Sequence, residues 1–214
     1  MIYFHGSSHA VVHLREAARQ RKVPLVDAPN LADVIFVSED VKTDHLGNRD
    51  VEPIREMVLS LTRFNKQIVL TSQVPPGFTR SLGLSNIYHQ AETLRIIDAE
   101  ERAFSPDYIA VGGPQGVSKH YAEYLLAFHC PILRMSWEDA EFSKIAVNMT
   151  LASQVENTNR LAKAAGKVGA DWTQVKKALG YDKRIGAQSY LTPGRWEDSL
   201  HLLRDSVTLK EIEG

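Results

Sequence analysis

The sequence predicts an α/β fold in which a mainly parallel sheet is followed by an all-helical segment built on a long central helix. Three observations carry that expectation. Up to about residue 135, short apolar runs alternate with helical patterns; after residue 137 the strand-like runs stop; and residues 141–166, EFSKIAVNMTLASQVENTNRLAKAAG, read as one uninterrupted helix. Alternation of the first kind implies crossover units and a parallel sheet covered on both faces.

In chain order the strand candidates are IYF (2–4), PLV (24–26), DVIFV (33–37), QIVLTS (67–72), NIYH (86–89), YIAVGG (108–113) and PILRM (131–135). Between them AVVHLREAARQRK, EPIREMVLSLTRFN, AEERAF and SKHYAEYLLAFH carry helical periodicity. So few residues separate Asp27 from DVIFV that one crossover unit of the usual doubly wound pattern is expected to be missing. Beyond the sheet, helices are expected at about 138–165, at 171–179 with Asp171 as N-cap, and at about 196–210, with a Gly- and Pro-rich loop before the last. The expected domains are residues 1–136 and 137–214, without a low-complexity linker or internal repeat.

Composition narrows the function classes. Charged residues at 24%, hydrophobic ones at 43% and a net charge of −1 describe an ordinary soluble protein with no basic stripe for nucleic acid or an anionic membrane. No apolar run reaches membrane-span length, and MIYFHGSSH lacks the pattern of a signal peptide, so a cytoplasmic location is expected. Cys130 is the single cysteine, which excludes an intramolecular disulfide and a cysteine-cluster metal site. The eight histidines are scattered, with no HxxxH pair on a convincing helix, and no metal is expected.

The long helix poses the main question. Projected at about 100° per residue, Leu151, Ala152, Val155 and Ala162 form an apolar arc, yet Lys144, Asn148 and Asn159 fall inside it. One explanation is that the lysine snorkels to water while the amides bond across to another helix. The other is a site: an ammonium beside an amide, one turn apart, is a sensible stabiliser of developing oxygen charge.

Four segments bear on the choice: LTSQVPPGFTR (70–80), AETLRIIDAE (91–100), the Lys144/Asn148 helix and GYDKRIGAQSYLTPG (180–194). In this order and spacing they resemble the UDP-glucose/GDP-mannose dehydrogenase family, whose members carry STVPPGTTR, PEFLREGDA, AELxKxxxN and an RIG segment ahead of a cysteine loop and a Lys-Asp pair. The resemblance spans roughly residues 32–210 and is densest over 140–186. It implies a Rossmann-like NAD domain, a helical central segment that dimerises through its long helix, and a nucleotide-sugar or smaller sugar ligand. It further implies catalytic roles for Lys144, Asn148, Glu92 and Asp205. Arg184 would reach a neighbouring subunit's sugar site, and Gly6, Ser8 and Asp27 would be the cofactor contacts.

Several positions depart from the family. PGRWEDSLHLLRD (193–205) lacks the cysteine needed for a thioester, and neither Ser199 nor His201 has an evident activating base. Cys130, in AFHCPIL, reads as structural. In the G-x-G-x-x-G pattern that lets backbone approach a pyrophosphate, HGSSHAVVH supplies Gly6 but has Ser8 and Val11 at the later positions. Gln73 and Ile96 replace a family threonine and glutamate, and Arg204-Asp205 stands for Lys-Asp. The family's C-terminal UDP-binding domain is expected to be absent. Two functions follow as expectations: a reduced NAD-dependent oxidoreductase that stops short of the full four-electron oxidation, or a non-catalytic dimeric binding and assembly module that pairs with an enzyme of sugar metabolism.

Overall fold

The computed structural model describes residues 1–214, which form two compact units. The first comprises residues 1–42 and 49–144, the second residues 43–48 and 145–214.

In the first unit six strands are ordered β1 (Ile2–His5), β2 (Val34–Val37), β5 (Gln67–Leu70), β6 (Ile87–Gln90), β7 (Ile109–Gly112) and β8 (Ile132–Met135). All neighbours are parallel except β6 and β7, which pair antiparallel through His89 opposite Gly112 and Gln90 opposite Val111. A short hairpin, β3 (Lys42–Thr43) with β4 (Arg49–Asp50), follows β2.

Side-chain alternation along the strands sorts two cores. Ile2, Phe4, Val34, Phe36, Val69 and Val111 face helices α1 (His9–Gln20), α4 (Ala99–Phe104) and α5 (Lys119–Leu126). Ile35, Val37, Ile68, Leu70 and Ile87 face α2 (Glu52–Leu61) and the short α3 (Phe78–Ser81). β2 is buried along its whole length, which explains why VIFV carries no polar alternation.

One expectation needs correcting. PLV is not a strand of the sheet: only Leu25 bridges Ile2, with Ile2 N–H donating to Pro24 and Val26 N–H to Ile2. The chain leaves after this single bridge, so β1 is the edge strand. β7 runs antiparallel to β6, so the sheet is mainly but not wholly parallel.

The second unit is helical. Helix α6 (Trp137–Lys167) runs continuously from the first unit into it, followed by α7 (Trp172–Tyr181) and α8 (Leu200–Glu213). Asp171 caps α7 as expected, its side chain accepting from Thr173 N–H at 2.8 Å. The 182–199 loop is laid along α6 by polar groups: Gln154 accepts from Tyr190 N–H, Thr158 donates to Tyr190 O, and Asn159 both donates to and accepts from Gly194 backbone at 2.7 and 2.9 Å. Those bonds account for Asn159 in the apolar arc. No helix is long and apolar enough to cross a membrane.

Candidate functional site

The turn from β1 into α1 is where a dinucleotide's pyrophosphate would lie. Gly6 has φ +120°, and a Cβ there would fall 2.0 Å from the Ser38 carbonyl oxygen, so close approach of backbone at the ends of β1 and β2 requires this glycine. Ser8 is the N-cap of α1: its hydroxyl accepts from Val11 N–H at 3.2 Å and donates to Ser38 O at 3.0 Å, and it is 3% exposed.

Ser7, just ahead of the cap, meets a carboxylate from the chain itself. Glu39 accepts from Ser7 N–H at 2.7 Å, from Ser7 Oγ at 2.9 and 3.0 Å, and from Asp40 N–H at 3.3 Å. Its own N–H donates to Ser72 Oγ, tying it to the end of β5. A diphosphate brought to this turn meets the negative charge of Glu39 already bonded to Ser7, so the turn as it stands does not fit NAD. Asp27 is exposed and borders a cavity of about 450 Å³ beside β1 that Arg15 and Arg19 also line.

Elsewhere in the first unit, Glu92 accepts from Gln73 Nε2 at 2.8 Å and from Leu94 N–H, which shows what the replacement Gln73 does. Lys144, half-buried on α6, has no hydrogen bond or ion pair, and none joins it to Glu92. Sequence reasoning passed over Glu141, which is 2% exposed and accepts from Gly77 N–H at 2.6 Å and Thr79 N–H at 2.8 Å. It thus joins the VPPGFTR turn to the start of α6, two of the segments that carry the resemblance; burial pushes its carboxyl pKa up against those bonds. The signal was present in VPPGFTR, since a left-handed Gly77 ahead of α3 leaves helix N-terminal donors needing an acceptor.

In the second unit Asn148, 8% exposed, donates from Nδ2 to Asp205 Oδ2 on α8 at 2.6 Å, and Asp205 is fully buried beside Arg204. The sequence-predicted Asn148 and Asp205 are therefore in contact, by the cross-helix amide bond expected of the bland explanation. Arg184 is exposed and pairs with Asp182 at 2.7 Å.

Two further features concern chemistry. Cys130 packs against the α1 face of the sheet, where desolvation raises its thiol pKa, the opposite of an activated nucleophile. HAVVH does form an HxxxH pair on a helix, contrary to the sequence reading: His9 and His13 on α1 approach to 3.1 Å between Nε2 atoms. No group of three or more potential metal ligands accompanies them.

The sheet and the long helix give an α/β fold shared with solved nucleotide-sugar dehydrogenases. UDP-glucose dehydrogenase from Pyrobaculum islandicum superposes with a TM-score of 0.73 at 21% identity, over 98% of this chain and 64% of that one, a likeness of fold. The sequence model for the UDP-glucose/GDP-mannose dehydrogenase family, central domain, matches residues 138–199. UDP-glucose 6-dehydrogenase of Drosophila melanogaster is 27% identical over 218 residues, covering 87% of this chain and 45% of its own. UDP-glucose 6-dehydrogenase YwqF of Bacillus subtilis is 27% identical over 198 residues, with 86% and 45% covered. The family match rests on residues 138–199, and the chain spans less than half the length of these curated relatives.

Proposed function

We propose that this chain is a redox-silent member of its family, a nucleotide-sugar or sugar-binding and assembly module in place of a dehydrogenase. The observation that carries the reading is the Glu39 carboxylate bonded to Ser7 at the start of α1. A protein that depends on NAD needs that helix end open to a diphosphate, and here an internal anion lies beside it. The raised thiol pKa of Cys130 agrees, since no activated sulfur stands ready for a thioester. Assembly is supported by the second unit: α7 has no buried residue, and Val168 and Tyr181 are 81% and 79% exposed. Apolar side chains exposed on α7 and on the turn before it fit a partner surface, either a second copy or a companion enzyme of sugar metabolism.

Titration calorimetry with NAD, with and without UDP-glucose, tests the reading. No heat for NAD at millimolar concentration is expected, and micromolar NAD binding would overturn it. A second reading, residual oxidation of a sugar, is favoured by the retained bond between Asn148 and Asp205. Product analysis decides between them: oxidation of any of a panel of nucleotide sugars, lost in Lys144→Ala, would establish that second reading.

A further inference from the structure

We propose that His9 and His13 form an open-sided site for one divalent ion of the zinc, nickel and copper class, held across the first turn of α1. Both ligands come from the one helix, and the site stands whether or not the chain binds NAD.

Spacing brings the pair together, because side chains at i and i+4 of a helix are neighbours on one face. Val11, Leu14, Ala17 and Ala18 take the buried side of α1, which leaves His9 exposed and His13 half-buried on the solvent side. There the two Nε2 atoms approach to 3.1 Å. The ring centroids are 4.4 Å apart with the planes at 57°, closer than a head-on N–H···N bond would set them. The rings therefore stand flank to flank, with both Nε2 edges turned toward a common point. At the usual zinc–imidazole length of about 2.0–2.1 Å, nitrogens 3.1 Å apart subtend about 100° at a shared ion. That angle lies between the roughly 90° of an octahedral site and the roughly 109° of a tetrahedral one, so either arrangement fits without moving the backbone.

The surroundings set the class of ion. Two imidazoles, with no acidic residue in the first turn of α1, suit zinc, nickel or copper, whereas magnesium and calcium take oxygen ligands. Glu16, the next turn along the same face, is engaged by Arg19 and Gln20. Water then completes the coordination, and the ion is exchangeable in place of structural. The contact between the rings requires one to donate and the other to accept; an ion replaces that shared proton and takes both lone pairs.

The experiment titrates Zn²⁺, Ni²⁺ and Mg²⁺ by calorimetry into the untagged full chain, His9→Ala, His13→Ala and His45→Ala, with circular dichroism establishing that each is folded. His45 is an exposed histidine between β3 and β4 and serves as the control. The unaltered chain should take up one Zn²⁺ or one Ni²⁺ and no Mg²⁺. Either alanine on α1 leaves a single imidazole and should weaken binding by at least about tenfold, while His45→Ala binds as the unaltered chain does. Zn²⁺ should also raise the unfolding temperature of the unaltered chain and leave that of both α1 variants unmoved. No stoichiometric uptake by the unaltered chain overturns the proposal, as does undiminished binding in either folded α1 variant. An equal loss in His45→Ala overturns it too, since the ion would then be held by scattered histidines and not by this pair.

Discussion

The two units bury different chemistry. In the first, apolar side chains sort onto both faces of a sheet whose central strand is wholly enclosed. In the second, the buried side chains are Ile145 and Ala152 together with Asn148, Thr158, Arg204, Asp205 and Thr208, and the long loop is held to α6 by amide and hydroxyl bonds. Non-directional burial stabilises the sheet unit, whereas the helical unit depends on matched polar partners, each worth about 1 kcal/mol net. Rigidity is thus expected to concentrate in the sheet unit.

The largest expected effect that would break this contrast is in the sheet. Phe36 is fully buried, 4.9 Å from Phe4 and 4.6 Å from Tyr124 between ring centroids. Phe36→Ala should cost about 3–5 kcal/mol in urea unfolding; a loss below about 1 kcal/mol would mean that the sheet core is loosely packed.

An effect of about 3 kcal/mol at most is expected from His89, which lies on β6 with 2% exposure and has no partner for Nδ1. Desolvation lowers its pKa from 6.5 to about 4, so the folded protein holds the imidazole neutral while the unfolded chain protonates it. The unfolded state then binds more protons between those two values. This contribution to stability is complete above about pH 6.5 and is lost as pH falls toward 4. His89→Leu should flatten that part of the stability profile, and an unchanged acid slope would remove His89 as its source.

The smallest effect sharpens the comparison most directly. Asn159→Ala removes both bonds to Gly194 and should cost about 1–2 kcal/mol. Hydrogen exchange should quicken around 190–196 and leave β2 unchanged. Quickening in β2 as well would mean that the two kinds of stabilisation are not separable.

How much of this was legible depended on which physical signal each residue carries. β2 and β5 declared themselves through continuous branched and apolar runs, and α6 through its length. PLV looked like a strand because its composition is that of one, but composition does not report a neighbour to pair with, and the chain provides only the Leu25 bridge. The 42–50 hairpin escaped because KTDHLGNRD has no apolar alternation. Among the site residues, the contact of Asn148 with Asp205 follows two helices that sequence placed correctly. Glu39 was illegible: an acid after a buried strand reads as a solvated strand end, and only the return of α1 brings the Ser7 donors to it.

The excursion at residues 43–48 bears on how the chain acquires its structure. This segment belongs with the helical unit, where a Cβ on Gly47 would come within 2.8 Å of a Val207 methyl and 3.3 Å of the Arg204 Cα. The helical unit is therefore discontinuous along the polypeptide: residues 43–48 emerge well before the matching part, α8. Its assembly must wait for α8 and close a very long loop, a slow step compared with the local pairing of β1, β2 and α1. A fragment cut at the start of α6 would lack the piece that seats against α8, so dissecting this protein by sequence position would divide a unit that only the folded chain holds together.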